Sequence, residues 1–237
     1  DESGLFWFAT NNGVCRLNQL TSLFDSFQNA SSKSSSIISN EVNVIMQDTG
    51  GVMWFGTPSG VSHWNASLSY FPHINMSAYP SLSSDITTSF ATDSKGRLYV
   101  GSIDAGLSII DPQQTSNIQI LSTSSKPHSI SDNRIMSLLV DANDGLWLGT
   151  YSNGLIYRAD SNSEFTYFKK DESKSDSVSF NSISKIKQLS NGQIAIGTFG
   201  GGINLYDRDN NSFIQITGQS EVGFNLSLND VLDVEDL

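Results

Sequence analysis

Cysteine is nearly absent from this sequence. Cys15 stands alone among 237 residues, so no disulfide forms within the chain and no cysteine-based zinc site exists. The lone thiol reads as a small buried hydrophobe. Arg16 is adjacent to it, but neighbouring strand residues point to opposite faces. Basic residues are scarce too: 13 Lys and Arg against 24 Asp and Glu leave a formal charge of −11. Such a surface repels phosphate backbones and anionic lipid, which argues against nucleic-acid binding and polybasic membrane docking. No apolar run approaches the ~18 residues of a membrane span. The apolar stretch Leu5–Ala9 is too short for a signal-peptide core. Three histidines, His63, His73 and His128, have no metal-ligand spacing. No segment shows sustained helical periodicity with caps.

An internal repeat fills the chain instead. Five segments share one pattern: Gly4–Thr10, Gly51–Thr57, Gly96–Ser102, Gly145–Thr150 and Gly192–Thr198. Their aligned aromatic position reads Trp7, Trp54, Tyr99, Trp147 and, in the last copy, Ala195, at intervals of 45 to 48 residues. That period is close to the ~40–50 residues of a propeller blade. Each copy continues through a short loop to a glycine (Gly13, Gly60, Gly106, Gly154, Gly202), a short apolar strand, and an Asn or Asp turn. A fourth strand follows, read at Leu23–Phe27, Tyr70–Phe71, Phe165–Phe168 and Phe213–Ile216. Before each Trp-type strand lies another apolar segment: Val42–Gln47, Ile86–Thr92, Ile135–Val140 and Ile183–Leu189, with Val231–Val234 at the C-terminus. Most end in Asp followed closely by Gly, the chemistry of a tight turn.

The expected fold is therefore all-β, a β-propeller of four-stranded antiparallel blades, about five in this chain. The repeats lie near 1–28, 40–72, 85–121, 132–169 and 181–217, with 229–237 supplying a further first strand or a closing strand. One blade cannot bury both its faces, so the repeated Trp packs between adjacent sheets. The Gly after it permits close approach of a neighbour. Both chain ends fall inside a blade. The expectation is a piece of a larger, commonly seven-bladed propeller, or a ring of five closed by Val231–Val234 beside Leu5–Ala9.

The unit Gly-x-Leu-Trp-Phe-Gly-Thr-x-x-Gly-Val resembles the two-component regulator propeller repeat. A second motif supports this. Ser36–Asn40, Ser81–Asp85, Ser129–Asn133, Ser177–Asn181 and Asn225–Asn229 are similar to the family's Ser-Leu-Ser-Asn-like segment before the innermost strand. The resemblance covers essentially the whole chain. It implies a periplasmic ligand-sensing domain of a bacterial membrane receptor, coupled through a membrane segment outside this chain to a histidine kinase, a hybrid kinase–regulator or a diguanylate cyclase. It implies a small-molecule or glycan ligand, a homodimer in the full receptor, no cofactor, and no catalysis in this region.

The variable positions point to a candidate site. The second-to-third loops differ from repeat to repeat, and variation on a fixed scaffold is how a repeat protein builds an asymmetric pocket. Asn11, Asn12, Asp104 and Asn153 offer hydrogen bonds, and Tyr151 and Phe199 offer aromatic platforms, a mixture suited to a sugar or other small polar ligand. The fourth-to-first loops carry His73, Tyr79 and His128, read as surface residues that roof the same face. Asp141–Gly145 and Asp207–Asn211 look like turns, not calcium loops, because the terminal Glu is missing. Glu41, Lys185, Lys187, Asp230 and Asp233 on the innermost strands form no convincing acid–base pair. The repeat is also similar to that of the antibiotic-inactivating streptogramin lyases, but their His and Glu set finds no counterpart. The alternative to a sensor is a five-bladed carbohydrate-binding propeller, which would repeat its binding residues in every blade.

Overall fold

The computed structural model describes residues 4–65, 71–111, 118–124, 129–218 and 229–234. Among them there is no helix. Nineteen strands among the described residues form five antiparallel sheets, each built from consecutive strands. The first has three: β1 (Leu5–Thr10), β2 (Gly13–Asn18) and β3 (Leu23–Phe27). The second contains β4 (Val44–Gln47), β5 (Met53–Thr57), β6 (Gly60–Trp64) and β7 (His73–Ile74). The third contains β8 (Thr87–Thr92), β9 (Leu98–Ser102), β10 (Leu107–Ile110) and β11 (Ile118–Leu121). The fourth contains β12 (Ile135–Val140), β13 (Leu146–Thr150), β14 (Leu155–Arg158) and β15 (Thr166–Phe168). The fifth contains β16 (Ile183–Gln188), β17 (Ile194–Thr198), β18 (Ile203–Asp207) and β19 (Ser212–Ile216). These are the blades of a β-propeller. The chain divides into two compact units, Asp1–Ile120 and Leu121–Leu237.

Burial follows the repeat. Every residue of β5, β9, β13 and β17 is buried. A strand buried on both faces favours apolar side chains on both, which is why the first three residues of each read as a continuous apolar run. Strand β1 alternates between half-buried and exposed instead, leaving Phe6 and Phe8 exposed. Within each unit the aromatic of one sheet packs on the next. In the first unit Trp7 lies 5.6 Å from Phe55 and 5.1 Å from Trp64. Trp54 joins Phe90, Leu98, Val100 and Ile110. In the second unit Trp147, fully buried, meets Tyr206 at 5.1 Å within a cluster that includes Ile183, Ile186 and Ile194.

Three short-range devices explain the rest of the repeat. The first is the threonine or serine that ends the Trp-type strand. Thr10, Thr57, Thr150 and Thr198 each donate Oγ1–H to the carbonyl of the glycine opening the next strand, at 2.7, 2.7, 2.8 and 2.9 Å. That glycine is obligatory at Gly154. Its φ is +82°, and a Cβ there would sit 2.1 Å from the Phe168 carbonyl oxygen. The second is the glycine after the aromatic: a Cβ on Gly149 would meet Ile183 Cγ2 of the next sheet at 2.6 Å.

The third device joins sheets. Asn40 Oδ1 accepts from Asn29 N, Asn181 Oδ1 from Lys170 N, and Asn229 Oδ1 from Gly218 N. The carbonyls of Asn40, Asn181 and Asn229 accept from Gly13, Gly154 and Gly202 N. Each asparagine thus clamps the end of one repeat to the start of the next.

Several details depart from the sequence reading. The fourth strand of the second sheet is His73–Ile74, not Tyr70–Phe71. Phe71 instead is buried, with its N–H donated to the Ser35 carbonyl, while Tyr70 lies outside the described residues. Val231–Val234 forms no strand. Val231 N donates to Thr198 O in its own unit, beside a single bridge between Phe199 and Asp230, and the first sheet keeps three strands. Cys15 is half-buried, not buried, with Sγ 3.6 Å from Ser26 Oγ. Residues 225–228, 235–237 and His128 lie outside the described residues.

Candidate functional site

The turn aspartates are structural. Asp141 Oδ1 accepts backbone N–H from Asn143 and Gly145, both at 2.9 Å. Its Oδ2 accepts from Trp147 Nε1 at 2.9 Å and Arg208 Nη2 at 2.6 Å. Burial alone would raise this carboxyl, but the Trp147 and Arg208 donors and the two backbone N–H groups hold it below its ordinary value. Asp207 Oδ1 takes the N–H groups of Asp209 and Asn210 in the same manner. Both segments are turns whose carboxylates already have donors. Lys185 of β16 pairs with Asp233 at 2.8 Å, so two of the charges expected on innermost strands neutralise each other.

The six loop residues expected to bind ligand fall in both units. In the first, Asn11 and Asn12 occupy the β1–β2 turn and Asp104 the β9–β10 loop, all exposed. Asn12 is held by its backbone: its N–H goes to Thr10 Oγ1 and its carbonyl accepts from Gln28 Nε2. In the second unit, Tyr151 follows β13 and Phe199 follows β17. Tyr151 N donates to the Arg134 carbonyl and Phe199 N to the Ser182 carbonyl, which fixes each aromatic beside the innermost strand of its own sheet.

A cavity of about 630 Å³ brings Tyr151 and Phe199 together. Met136, Ser152, Phe180, Asn181 and Ser182 complete its lining. Phe180 and Tyr151 are 38% and 46% exposed, so two rings face the opening. Phe180 sits over a glycine pair. The Gly200 position lies in van der Waals reach of its ring, and a Cβ on Gly201 would fall 2.7 Å from Phe180 Cβ. The Phe199-Gly-Gly loop therefore makes room for a third aromatic. Asn153 is not part of the lining; its Oδ1 accepts from Lys169 Nζ at 3.1 Å.

A polar frame holds one wall. Asp132 is buried, and its Oδ2 accepts from Ser152 N at 3.1 Å and Ser152 Oγ at 2.7 Å. Its Oδ1 accepts from Arg134 N. Burial pushes the Asp132 carboxyl up, but the Arg134 and Ser152 hydrogen bonds outweigh it and hold the group low. Arg134 donates to Ser152 Oγ at 2.8 Å and stacks 4.5 Å above the Tyr151 ring. The ring is thus pinned from behind by a cation.

Phe180 and Met136 escaped the sequence reading. Phe180 lies inside the Ser177–Asn181 motif, whose recurrence in every repeat marks it as structural. The signal was there: the residue before the motif's last position is Ser39, Ser84, Asp132 and Leu228 elsewhere, and aromatic here alone. His73 and Tyr79 are not the surface residues expected. His73 Nε2 lies 2.7 Å from the Ser36 carbonyl, and Tyr79 packs half-buried against the Trp54 cluster. Both line a second cavity with Asp48, away from the variable loops.

Comparison with known proteins agrees with this architecture. The two component regulator propeller model matches residues 36–59 and 129–152. No curated protein sequence matches. Among solved structures, the extracellular domain assigned to the hybrid two component system BT3049 from B. thetaiotaomicron is similar, with TM-score 0.77 and 25% identity. The match covers 97% of this chain and 29% of that one. The corresponding extracellular domain of BT4673 from B. thetaiotaomicron gives TM-score 0.51 and 22% identity, over 91% of this chain and 34% of that one. Virginiamycin B lyase from Staphylococcus aureus, solved with quinupristin, shares the fold at TM-score 0.65 and 12% identity, over 96% of this chain and 68% of the lyase. The chain thus spans about a third of the length of the two extracellular domains. Residues 36–59 and 129–152 thus match the two component regulator propeller repeat, within a chain whose five blade-type sheets and recurring Trp strand are those of a β-propeller.

Proposed function

We propose that this chain is the ligand-sensing propeller of a bacterial membrane signalling receptor, of the two-component or diguanylate cyclase type, working on the periplasmic side. The repeat family and the likeness to extracellular domains of hybrid two component systems support a sensing, extracytoplasmic region. The observation that carries the ligand site is the cavity where Tyr151, Phe180 and Phe199 meet Ser152, Asn181 and Ser182. Aromatic faces beside amide and hydroxyl groups suit a small polar ligand with one apolar face, a glycan among them. The ligand acts by binding one arrangement of a homodimeric receptor better than the other. Rigid blades put that difference at an interface between chains.

The loops differ among sheets, which disfavours a lectin with one equivalent site per blade. The lyase likeness concerns fold alone. A thermal-shift screen of glycans and small metabolites tests the reading, repeated on Tyr151→Ala and Phe199→Ala. A ligand that raises Tm in the native chain and loses its effect in both variants is expected. Ligands that stabilise the variants as well as the native chain would place the binding elsewhere and overturn this site.

A further inference from the structure

The turn aspartates differ in one respect. Asp141 Oδ2 accepts from Trp147 Nε1 and from a guanidinium, Arg208 Nη2 at 2.6 Å. Asp93 Oδ2 accepts from Tyr99 Oη at 3.2 Å and from another guanidinium, Arg97 Nε at 2.6 Å. Asp48 Oδ2 accepts from Trp54 Nε1 at 2.8 Å, and among the described residues no cation pairs with it. Sequence explains the difference. Arg97 lies four residues after Asp93, and the same offset from Asp48 gives Val52. Arg208 follows the turn aspartate Asp207 of the next repeat, and the matching position after Asp111 is Pro112, which lies outside the described residues and has no donor side chain.

A cavity of about 250 Å³ opens beside Asp48. Trp54, His63, Tyr79 and Pro72 line it with the carboxylate. The His63 and Trp54 rings lie 4.9 Å apart, and His63 Nδ1 is buried without a hydrogen-bond partner. Burial and His73 push the His63 pKa down against the opposing pull of Asp48, so the ring stays neutral near pH 7 and does not cancel the carboxylate. A neutral imidazole has one nitrogen that accepts.

We propose that this cavity binds the guanidinium group of a small molecule, with Asp48 Oδ2 and His63 Nδ1 accepting its N–H groups and the Trp54 and Tyr79 rings flanking its plane. The chemistry is that of Arg208 on Asp141, supplied from outside the chain. A guanidinium matches a carboxylate with directed N–H bonds and stacks on aromatic faces, which an ammonium does less well. The site is separate from the Tyr151–Phe199 cavity and independent of the sensing proposal.

Calorimetric titration of the whole chain with agmatine, and with putrescine as the diamine lacking a guanidinium, tests this. Agmatine should bind, putrescine should be weaker by about tenfold or more, and Asp48→Asn should weaken agmatine by at least about tenfold. Val52→Arg supplies an internal guanidinium at the position that Arg97 holds relative to Asp93 and should abolish agmatine binding, with an unchanged far-ultraviolet circular dichroism spectrum. Tyr151→Ala, in the other unit, should leave it unaltered. Absence of agmatine binding, equal binding of putrescine, or agmatine binding that survives both the Asp48 and Val52 changes would overturn the proposal.

Discussion

Arg208 reaches across to Asp141, 67 positions earlier in the chain, and closes a 2.6 Å ion pair on a carboxylate whose side chain is fully buried. Asp141 is the junction of four donors: two from its own turn, the Trp147 indole, and this guanidinium from the following sheet. It ties the turn chemistry of one repeat to the position of the next.

Removing the carboxylate should cost more than removing the cation. Asp141→Ala leaves the Trp147 indole N–H and two turn N–H groups without acceptors and should lower stability by about 3 kcal/mol or more. Arg208 is 41% exposed, so Arg208→Ala should cost only about 1 kcal/mol after solvent screening. Urea unfolding of the two variants gives the comparison, and equal losses would contradict the hub role of Asp141.

Acid should destabilise the second unit through the same group. The folded-state pKa values of Asp141 and Asp132 lie below their unfolded values, so the stability they contribute is fully present above the unfolded pKa. It is lost as pH falls from about 4 through the folded values. Tm measured from pH 7 downward should stay level to about pH 5 and then drop, and Asp141→Asn should flatten part of that drop.

Two glycines with nearly the same φ should respond differently to alanine. Gly154 (φ +82°) has the Phe168 carbonyl oxygen 2.1 Å from a Cβ, whereas Gly192 (φ +84°) has nothing within 4 Å. Gly192→Ala carries only the left-handed backbone penalty, about 1–2 kcal/mol. Gly154→Ala adds a collision with backbone and should exceed about 3 kcal/mol. Thermal denaturation of both variants checks this; similar losses would mean that φ alone governs the repeated glycine.

The interface aromatic gives a further test. Trp147→Phe keeps the ring but removes the indole donor to Asp141 and should cost about 1–3 kcal/mol. Trp147→Ala opens a cavity among Leu155, Ile194 and Tyr206 and should cost about 3–5 kcal/mol. Denaturant midpoints order the two.

The strands built on local pattern were legible in the sequence. β12 runs over Ile135–Val140 as read, because an apolar run with Asn133 just before it and Asp141 after it fixes both ends locally, and β3 keeps its expected bounds Leu23–Phe27. The fourth strand of the second sheet was misplaced because Phe71 is as hydrophobic as any strand residue, yet its backbone bonds to Ser35 rather than to β6. The Asp–aromatic bond was hidden inside a motif read as a turn and a packing residue separately. Its trace was in the fifth repeat, where Leu189 replaces the aspartate and Ala195 the aromatic together. Tyr151 and Phe199 were visible as loop aromatics; the Asp132–Ser152–Arg134 frame was not, since it depends on side-chain bonds between positions 20 apart.

The asparagine clamp makes each sheet depend on the repeat after it. Asn40 and Asn181 belong to the repeats that follow the strands they fasten, Gly13 and Asn29 in one case and Gly154 and Lys170 in the other. The fastening of each sheet therefore comes with the opening of the next repeat. Truncation between Phe168 and Asn181 would keep all four strands of the fourth sheet and still loosen it, because the residue that holds Gly154 and Lys170 would be gone.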